Sequence, residues 1–426
     1  VDQGKMDDEY GAGDADNVQS VNVTNEYSEN YKYWTKGGNE VTNLFDFADP
    51  NKVGDESSHV TYMSRSNWTQ TADQAKNQSV TVSGDMGFLG QTNGGSNFSV
   101  ENAQKYYPEA VASFEDKYPT FRDEDAQATM TLAEMIGVEY DTKRGATEED
   151  VQKWEDFLNQ LSWSELATLT GTGRRMTAAI ESIGKPKTND VNASNAISWH
   201  FNMGVDSDEA NDTVGFGVRF DPDNARKYYP TGYPCEGIIA STFNNELAYA
   251  IGQAIGEDGL WSGAAGLYGF GLGLHRNPYH GRTGEYYSED PFLTGMIGGY
   301  SSLGAQSKGL YVYNKHFVLN DQEQNRTGYN TWLNEQSFRE IYLRPFEIAI
   351  EIGDAMNVMN SFNHIGTAWS GNCYNLMTAW LRGEAGMVGF AVTDWYKSGG
   401  MNMTYGILAG TDLPDGTDDT TIENNG

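Results

Sequence analysis

Segments with helical spacing of apolar residues alternate with short strand-like runs from about residue 236 onward. This alternation limits the fold more than any other feature, because strands separated by such helices form βαβ units and a parallel sheet. The predicted helices cover residues 244–259, 290–306, 335–352 and 373–382. The predicted strands cover residues 266–274, 310–313, 358 to about 362 and 389–392. The sequence therefore predicts an α/β fold, and the length of the region favours a TIM-like (β/α) barrel.

The chain before and after this region reads differently. Residues 1–145 lack long apolar periodicity, so we predict an irregular N-terminal accessory or linker region, with a strand candidate at residues 59–63. Acidic residues follow Thr147 directly, as in the first turn of a helix. We assign residues 146–416 to the barrel domain and residues 417–426 to a tail that leads toward a missing segment.

The charge of the chain excludes some classes of partner. It carries 28 Lys and Arg against 60 Asp and Glu, a formal net charge of -32. Such a surface repels phosphate groups, so we expect no nucleic-acid partner and no binding to anionic membranes. No apolar run reaches the length of a membrane span. Neutral ligands remain compatible, and an aromatic content of 12% suits stacking on sugar faces as well as ordinary packing.

Polar residues follow the predicted strands. In a parallel barrel the carboxyl ends of the strands meet on one face, and barrel chemistry sits there. We therefore expect the residues after the strands to converge. They are Arg276 and Arg282, Lys315 and His316, residues 360–363, and Asp394 with Trp395.

Asp394 is the carboxylate of this set. Burying a charge is costly unless the charge is paired, so we expect the neighbouring cations to keep Asp394 ionised by lowering its pKa. An ionised carboxylate beside an anomeric carbon is a nucleophile for glycosyl transfer. An ion pair that only caps the strand is the alternative, and taken alone the residue favours that alternative.

Five ordered stretches resemble glycoside hydrolase family 3. Residues 389–395, Gly-Phe-Ala-Val-Thr-Asp-Trp, resemble the nucleophile signature of the family. The other four stretches are residues 277–291, residues 313–326 with Lys-His-Phe, residues 339–347 and residues 361–366. The resemblance covers residues 230–416 strongly and extends weakly back to about residue 122. It implies a barrel that binds and hydrolyses glycosides.

The resemblance also implies roles for single residues. Asp394 corresponds to the nucleophile that forms a glycosyl-enzyme intermediate, and Trp395 supplies an apolar wall. Phe362 stands where many members have Tyr. Hydroxyls of the sugar in the −1 subsite are bound by basic residues, which are Arg282, Lys315, His316 and, as a further donor, Arg326.

Family members usually carry an Asp-Gly-Pro-x-Gly turn after the first strand, and its Asp binds two sugar hydroxyls. Residues 205–217 contain no such turn. Asp208 fits the position if three residues are inserted after it, and Asp212 fits if one is deleted. Both alternatives stay open at this point.

Retaining hydrolysis also needs a second carboxyl, about 5–5.5 Å from the first, that acts as acid and base. In most of the family it comes from an αβα sandwich domain, and we find no such domain in the sequence. Residues 60–68 resemble the junction in members that place the sandwich before the barrel. We therefore expect that this domain is supplied by the same precursor or by a second chain. Glu323 and Glu289 are the less favoured substitutes within the chain.

The sequence thus predicts a retaining exo-β-glycosidase of the β-glucosidase type, acting on β-glucosides or short oligosaccharides, with β-xylosidase as the nearest alternative. A non-catalytic carbohydrate-binding or surface protein on a degenerate barrel is the rival prediction. We expect no cofactor and no metal, because the histidines lack metal-ligand spacing. Two cysteines, Cys235 and Cys373, give no disulfide framework. We expect an extracellular or secreted protein.

Overall fold

The computed structural model describes the chain over residues 37, 41–53, 59–60, 101, 104, 121–141, 145–173, 175–192, 194–197, 230–327, 329–396 and 401–415. Asp208 and Asp212 lie outside the described residues. The same holds for residues 61–63 of the strand candidate and for the tail at 417–426. His59 and Val60 are described and belong to no strand.

Helices and strands alternate through the second half of the described chain. The α-helices are α1 Pro50–Val53, α2 Glu148–Asn159, α3 Trp163–Gly171, α4 Glu236–Ala240, α5 Asn245–Ser262, α6 Pro291–Gln306, α7 Glu335–Ser337, α8 Arg344–Gly353 and α9 Met403–Ala409. The π-helices are Phe338–Leu343 and Asn375–Glu384. The 3₁₀ turns are Asp46–Ala48, Leu132–Met135, Glu181–Ile183, Thr283–Glu285 and Ser370–Asn372. The strands are β1 Asp190–Asn192, β2 Gly266–Tyr268, β3 Tyr311–Phe317, β4 Asn330–Thr331, β5 Asn357–Asn360, β6 His364–Ile365, β7 Ala368–Trp369, β8 Ala391–Trp395 and β9 Leu413–Asp415.

Six of these strands form a parallel sheet in the order β1-β2-β3-β5-β8-β9. Strands that are neighbours in the sheet are joined by helices on its outside, as βαβ units require. The three short strands β4, β6 and β7 form a separate sheet. The predicted α/β class and parallel sheet are confirmed.

The large sheet curls around a common interior. One side chain from each of five strands joins a single buried cluster, made of Tyr268, Tyr313, Met359, Val392 and Leu413. The segment before β1 connects the two edge strands: the Arg175 amide donates to Asp415 Oδ1 over 3.2 Å, and the Asp190 amide donates to the Arg175 carbonyl over 2.8 Å. The two edges of the sheet are thus connected through one segment, as in the wall of a barrel.

The outer layer is packed closely because small residues line the helix contacts. Helices α5 and α6 pack against each other and against the sheet. A Cβ atom at Gly304 of α6 would lie 2.2 Å from the Tyr249 carbonyl of α5. Glycine is therefore required there for the two helix backbones to approach.

The predicted helices are largely found, and their starts follow local chemistry. Thr147 caps α2 by accepting from the Asp150 amide over 3.1 Å, while Asp150 Oδ2 accepts from the Thr147 amide. The predicted helices at 335–352 and 373–382 contain the two π-helices instead of regular α-helix throughout. Apolar spacing predicts a helix but does not report the hydrogen-bond offset of its turns.

The predicted strand at 266–274 is shorter in the structure, since β2 ends at Tyr268. A Cβ atom at Gly271 would lie 2.1 Å from the Glu285 carbonyl, and one at Gly273 would lie 2.6 Å from the ring of Tyr286. The backbone after β2 thus packs directly on the chain near residue 286. This contact holds the loop that carries Arg282 over the end of the barrel.

Candidate functional site

Side chains from β3, β8 and the loop after β2 meet at the carboxyl ends of the strands. His316 of β3 is the central group: its Nε2 lies 3.0 Å from Arg282 Nη2 and 3.5 Å from Asp394 Oδ2. Lys315 faces the same place, because its Nζ lies 2.9 Å from Glu285 Oε1 and Glu285 Oε2 accepts from Arg282. The structure therefore brings together four of the residues that the sequence places in the sugar subsite, which are Arg282, Lys315, His316 and Asp394.

The contacts of His316 define its protonation. A guanidinium can only donate, so Nε2 accepts from Arg282 and the ring proton is on Nδ1. Nδ1 lies 3.0 Å from the Tyr286 hydroxyl oxygen, which accepts a hydrogen bond from the Nδ1–H group. Burial and the charge of Arg282 hold the pKa of His316 well below its usual range. His316 is therefore neutral, and its contact with Asp394 is not an ion pair.

Asp394 lies near the end of β8 with its side chain 17% exposed. Its Oδ1 accepts from the Trp395 amide over 2.7 Å. Burial raises the pKa of Asp394 above its usual value, although the Trp395 amide and the charges of Arg282, Arg326 and Lys315 act in the opposite direction. The sequence predicts a lowered pKa from Lys315, His316, Arg276 and Arg282, but His316 is neutral and Arg276 is exposed. The outcome differs because burial disfavours the charged form more strongly than these cations favour it.

Glu285 is a central member of the site that the sequence analysis did not single out. Its Oε1 lies 2.9 Å from Lys315 Nζ, and its Oε2 accepts from Arg282 Nε. Burial raises the pKa of Glu285, but Lys315 and Arg282 outweigh burial and hold it well below the usual range. Glu285 is therefore an anion that bridges two of the cations predicted to bind sugar hydroxyls.

Asn192 takes the position at the end of the first strand. It closes β1, and its Oδ1 accepts from Lys315 Nζ over 3.0 Å. An amide at the end of β1 thus contacts the Lys315 ammonium. Asp208 and Asp212 lie outside the described residues, so either assignment stays a prediction. A three-residue strand offers no periodic pattern from which the position of Asn192 could be predicted.

Arg326 closes another side of the site. Its Nη1 lies 3.0 Å from Glu323 Oε2, and its guanidinium stacks on the ring of Phe362 at 4.3 Å from the ring centre. Glu323 also approaches Arg282 Nη1 at 3.6 Å and accepts from Asn320 over 3.1 Å. Phe362 is 1% exposed. It therefore offers one ring face to Arg326.

Other residues that the sequence analysis named lie in different surroundings. Trp395 is half-buried and packs against the cluster that contains Phe362. Arg276 is exposed, and its guanidinium lies 5.6 Å from the ring centre of Tyr342. Glu289 is also exposed. Within the described ranges no helix is long and apolar enough to cross a membrane, and no group of three His, Cys, Asp or Glu side chains is arranged to hold a metal ion.

Comparison with known proteins places this site in a family context. Residues 224–411 match the model of the "Glycosyl hydrolase family 3 N terminal domain". The chain is 33% identical to Beta-glucosidase A of Butyrivibrio fibrisolvens over 267 residues, covering 61% of this chain and 29% of the relative. It is 36% identical to a Beta-glucosidase of Ruminococcus albus over 182 residues, covering 43% of this chain and 19% of the relative.

The fold is similar to that of solved β-glucosidases. The structure of beta-glucosidase 3B from Thermotoga neapolitana in complex with alpha-D-glucose superposes with a TM-score of 0.55 at 29% identity. The match covers 64% of this chain and 38% of that structure. The chain thus spans less than half the length of each of these relatives. The predicted resemblance to glycoside hydrolase family 3 is confirmed over the matched residues.

Proposed function

We propose that this chain, whose residues 224–411 are similar to the N-terminal domain of glycosyl hydrolase family 3, forms the sugar-binding and nucleophilic half of a retaining exo-β-glycosidase. The enzyme removes terminal, non-reducing β-linked glucose from short glucans. The observation that carries the proposal is the convergence of Asp394 with His316 and Arg282 at the strand ends, at 3.5 Å and 3.0 Å from His316 Nε2.

The chemistry assigns Asp394 the first step. A carboxylate oxygen of Asp394 attacks the anomeric carbon while the bond from that carbon to the leaving oxygen breaks, and the leaving oxygen takes a proton from the acid. Water then attacks the same carbon, gives a proton to the base, and frees Asp394. Arg282 and Lys315 donate to the ring hydroxyls, and such bonds strengthen as charge develops on the ring.

The local charges support a neutral sugar as the substrate. The three cations Arg282, Lys315 and Arg326 are bridged by the carboxylates of Glu285 and Glu323. With Asp394 ionised, the cations and anions are equal in number. The carboxylate of a sugar acid would find no excess positive charge to bind it. Neutral hydroxyls can accept hydrogen bonds from the oriented N–H groups of the three cations.

The acid and base carboxyl belongs, in this proposal, to an αβα sandwich domain of the same precursor or of a second chain. Two observations support this assignment. Glu323 already binds Arg326, Arg282 and Asn320, and Glu289 is exposed. The proposal places the protein outside the cell, in the breakdown of β-glucans such as cellulose, with β-xylosidase as the neighbouring activity.

A fluorinated substrate with an activated leaving group tests the nucleophile separately from the acid. 2,4-Dinitrophenyl 2-deoxy-2-fluoro-β-D-glucoside needs no protonation of its leaving group, so Asp394 alone can displace it. We expect one equivalent of dinitrophenolate to be released and the sugar to be found on the peptide that contains Asp394. Asp394→Asn should release none. Wild-type protein that binds glucose but releases no dinitrophenolate would contradict the proposal.

That last outcome would favour the rival function, a carbohydrate-binding protein on a degenerate barrel. One observation favours this rival. Residues 205–217 contain no Asp-Gly-Pro-x-Gly turn, whose Asp, by the resemblance, would bind two hydroxyls. Glucose binding that is unchanged in Asp394→Asn, together with the absence of labelling, would identify a binding protein.

A further inference from the structure

Asp394 has a carboxyl neighbour on the next strand. In β8 and β9, Val392 pairs with Leu413, and both side chains belong to the buried interior cluster. Beyond this pair the ladder shifts, so β8 advances three residues to the next pair while β9 advances two. An irregularity in the ladder brings Asp415 opposite Trp395, the residue next to Asp394. Neighbouring strands are about 4.8 Å apart, so Asp394 and Asp415 are neighbours at the mouth of the barrel, and the charge of Asp394 acts on Asp415.

The two carboxyls have different surroundings. Asp394 is 17% exposed at its side chain and lies in the field of Arg282, Arg326 and Lys315. Asp415 is 2% exposed and accepts from the Arg175 amide over 3.2 Å. Burial raises the pKa of both carboxyls, but three cations oppose this rise at Asp394 and one, Arg175, opposes it at Asp415, so Asp394 is the member of the pair that ionises first.

The charged groups that face Asp415 act in both directions. Burial raises the pKa of Asp415 to about 7. The guanidinium of Arg175, from the segment before β1, opposes this rise, whereas the carboxylates of Asp394 on β8 and Asp190 on β1 add to it. The Tyr268 phenol of β2 also lies in the field of Asp415 and is uncharged at neutral pH, because burial holds its pKa well above the usual range.

We propose that Asp415 is a positioning residue of this site, which keeps its proton while Asp394 beside it is ionised. Two negative charges on neighbouring carboxyls repel each other. The pair therefore loses its two protons in two separate steps. The protonated Asp415 leaves Asp394 as the single anion of the pair. When Asp415 loses its proton at higher pH, both carboxyls are charged. This loss sets the upper limit of the pH range in which only Asp394 is ionised. The relevance to catalysis rests on the proposed function of Asp394.

Carboxyl NMR tests the proposal without substrate. The full protein is prepared with aspartate labelled with ¹³C at the side-chain carboxyl, and the Asp415 signal is assigned from its absence in Asp415→Asn. We expect the signal to titrate near pH 7. In Asp394→Asn we expect the midpoint to fall by at least about one pH unit, because the neighbouring negative charge is removed.

Asp412→Asn is the matched control. Asp412 lies on the same segment, but its carboxylate binds Arg382 at 2.7 Å and the Ala391 amide at 2.7 Å. This variant should leave the Asp415 midpoint unchanged. An Asp415 midpoint near pH 4, or one that does not move in Asp394→Asn, would overturn the proposal.

A pH profile adds a catalytic measurement. The rate of dinitrophenolate release from the 2-fluoro glucoside, which needs no general acid, should lose its inflection near pH 7 in Asp415→Asn and keep it in Asp415→Glu. Retention of the inflection in Asp415→Asn would overturn the proposal. If the NMR titration behaves as expected but 2-fluoro glucoside labelling fails, the proposed function is wrong, whereas the coupled titration of Asp394 and Asp415 is still supported.

Discussion

Lys315 Nζ lies 2.9 Å from Glu285 Oε1, and the lysine side chain is only 3% exposed. A buried ammonium is stable only when it is paired and hydrogen-bonded, so Glu285 makes it possible for Lys315 to stand at the end of β3 as a cation. Asn192 Oδ1 completes the contacts at 3.0 Å. The ability of Lys315 to donate to a sugar hydroxyl therefore depends on a carboxylate from the loop after β2.

Replacing Glu285 with Gln tests this dependence. Removing one partner of a buried pair leaves the other charge uncompensated, which typically costs about 3–5 kcal/mol. We expect a loss of that order in the free energy of unfolding at pH 7, measured by urea denaturation. The pKa of Glu285 is lowered in the folded state, so its contribution is present above the unfolded value of 4.5 and is lost as the pH falls. The difference between the two proteins should shrink in acid.

Glu347→Gln is the control for this variant. Glu347 pairs with Arg344 at 2.5 Å, but both side chains are more than 30% exposed, at 34% and 37%. Exposed pairs contribute about 0–1 kcal/mol. A loss in Glu285→Gln that is no larger than the loss in Glu347→Gln would contradict the structural role of Glu285.

Asp394→Asn is expected to separate activity from stability. The variant removes the proposed nucleophile, so turnover of an aryl β-glucoside should fall by about 10⁴-fold or more. Burial raises the pKa of Asp394, so ionising it opposes folding above the unfolded value of 3.8. We therefore expect the free energy of unfolding at pH 7 to rise in the variant. A variant that is both inactive and less stable would show that Asp394 is a structural ion-pair member.

The strand ends could be predicted from the sequence because parallel strands order them. Asp394 and Lys315 follow apolar runs, and the ends of parallel strands converge on one face of a barrel, so the sequence alone predicts that these two residues lie close together. Glu285 could not be found in this way. It lies on a loop whose path is decided by close packing, where Gly271 contacts the Glu285 carbonyl directly. Asn192 was missed because β1 is too short to show a pattern.

The pKa of Asp394 also required the structure. A sequence shows which cations are near a carboxylate along the chain, but burial depends on the packing of several strands. Arg175 is an example, since its amide and carbonyl connect Asp415 and Asp190 at the two edges of the sheet. Long-range contacts of this kind are invisible to local periodicity.

Glu236→Gln should change the pH dependence of stability. Glu236 is fully buried at the start of α4, and burial raises its pKa to about 8. Because the folded pKa lies above the unfolded value of 4.5, wild-type stability should fall as the pH rises between these two values. Gln carries no proton to lose. We therefore expect Glu236→Gln to be more stable than wild type at pH 8.5, on the order of 3–5 kcal/mol, and much closer to it at pH 5.

The exposed Glu257 provides the comparison for Glu236. Its side chain is 44% exposed and pairs with Lys308 at 3.1 Å. Glu257→Gln should leave the slope of stability against pH unchanged in urea unfolding between pH 5 and pH 8.5. The same slope in wild type and Glu236→Gln would show that Glu236 is not a buried protonated acid.

Phe45→Ala tests whether the segment before the barrel belongs to its core. Phe45 is 0% exposed, lies 4.4 Å from the ring centre of Phe338, and its amide donates to Glu335 Oε2 over 2.7 Å. Removing such a ring typically costs about 3–5 kcal/mol. The exposed Phe243, at 75%, is the control and should lose less than about 0.5 kcal/mol when changed to Ala. Equal losses in urea unfolding would mean that the segment does not pack on the barrel.

Asn192→Asp should strengthen the sugar site. The amide oxygen of Asn192 already accepts from Lys315 at 3.0 Å, and a carboxylate there would add two strong acceptors for sugar hydroxyls. Charge-assisted hydrogen bonds are roughly twice as strong as neutral ones, so we expect kcat/KM for an aryl β-glucoside to rise by about 10-fold. Asn195→Asp is the control, because Asn195 donates to the Tyr233 carbonyl at 2.7 Å, whereas Lys315 donates to Asn192. If Asn192→Asp lowers kcat/KM while Asn195→Asp does not, the site is adapted to an amide at the end of β1.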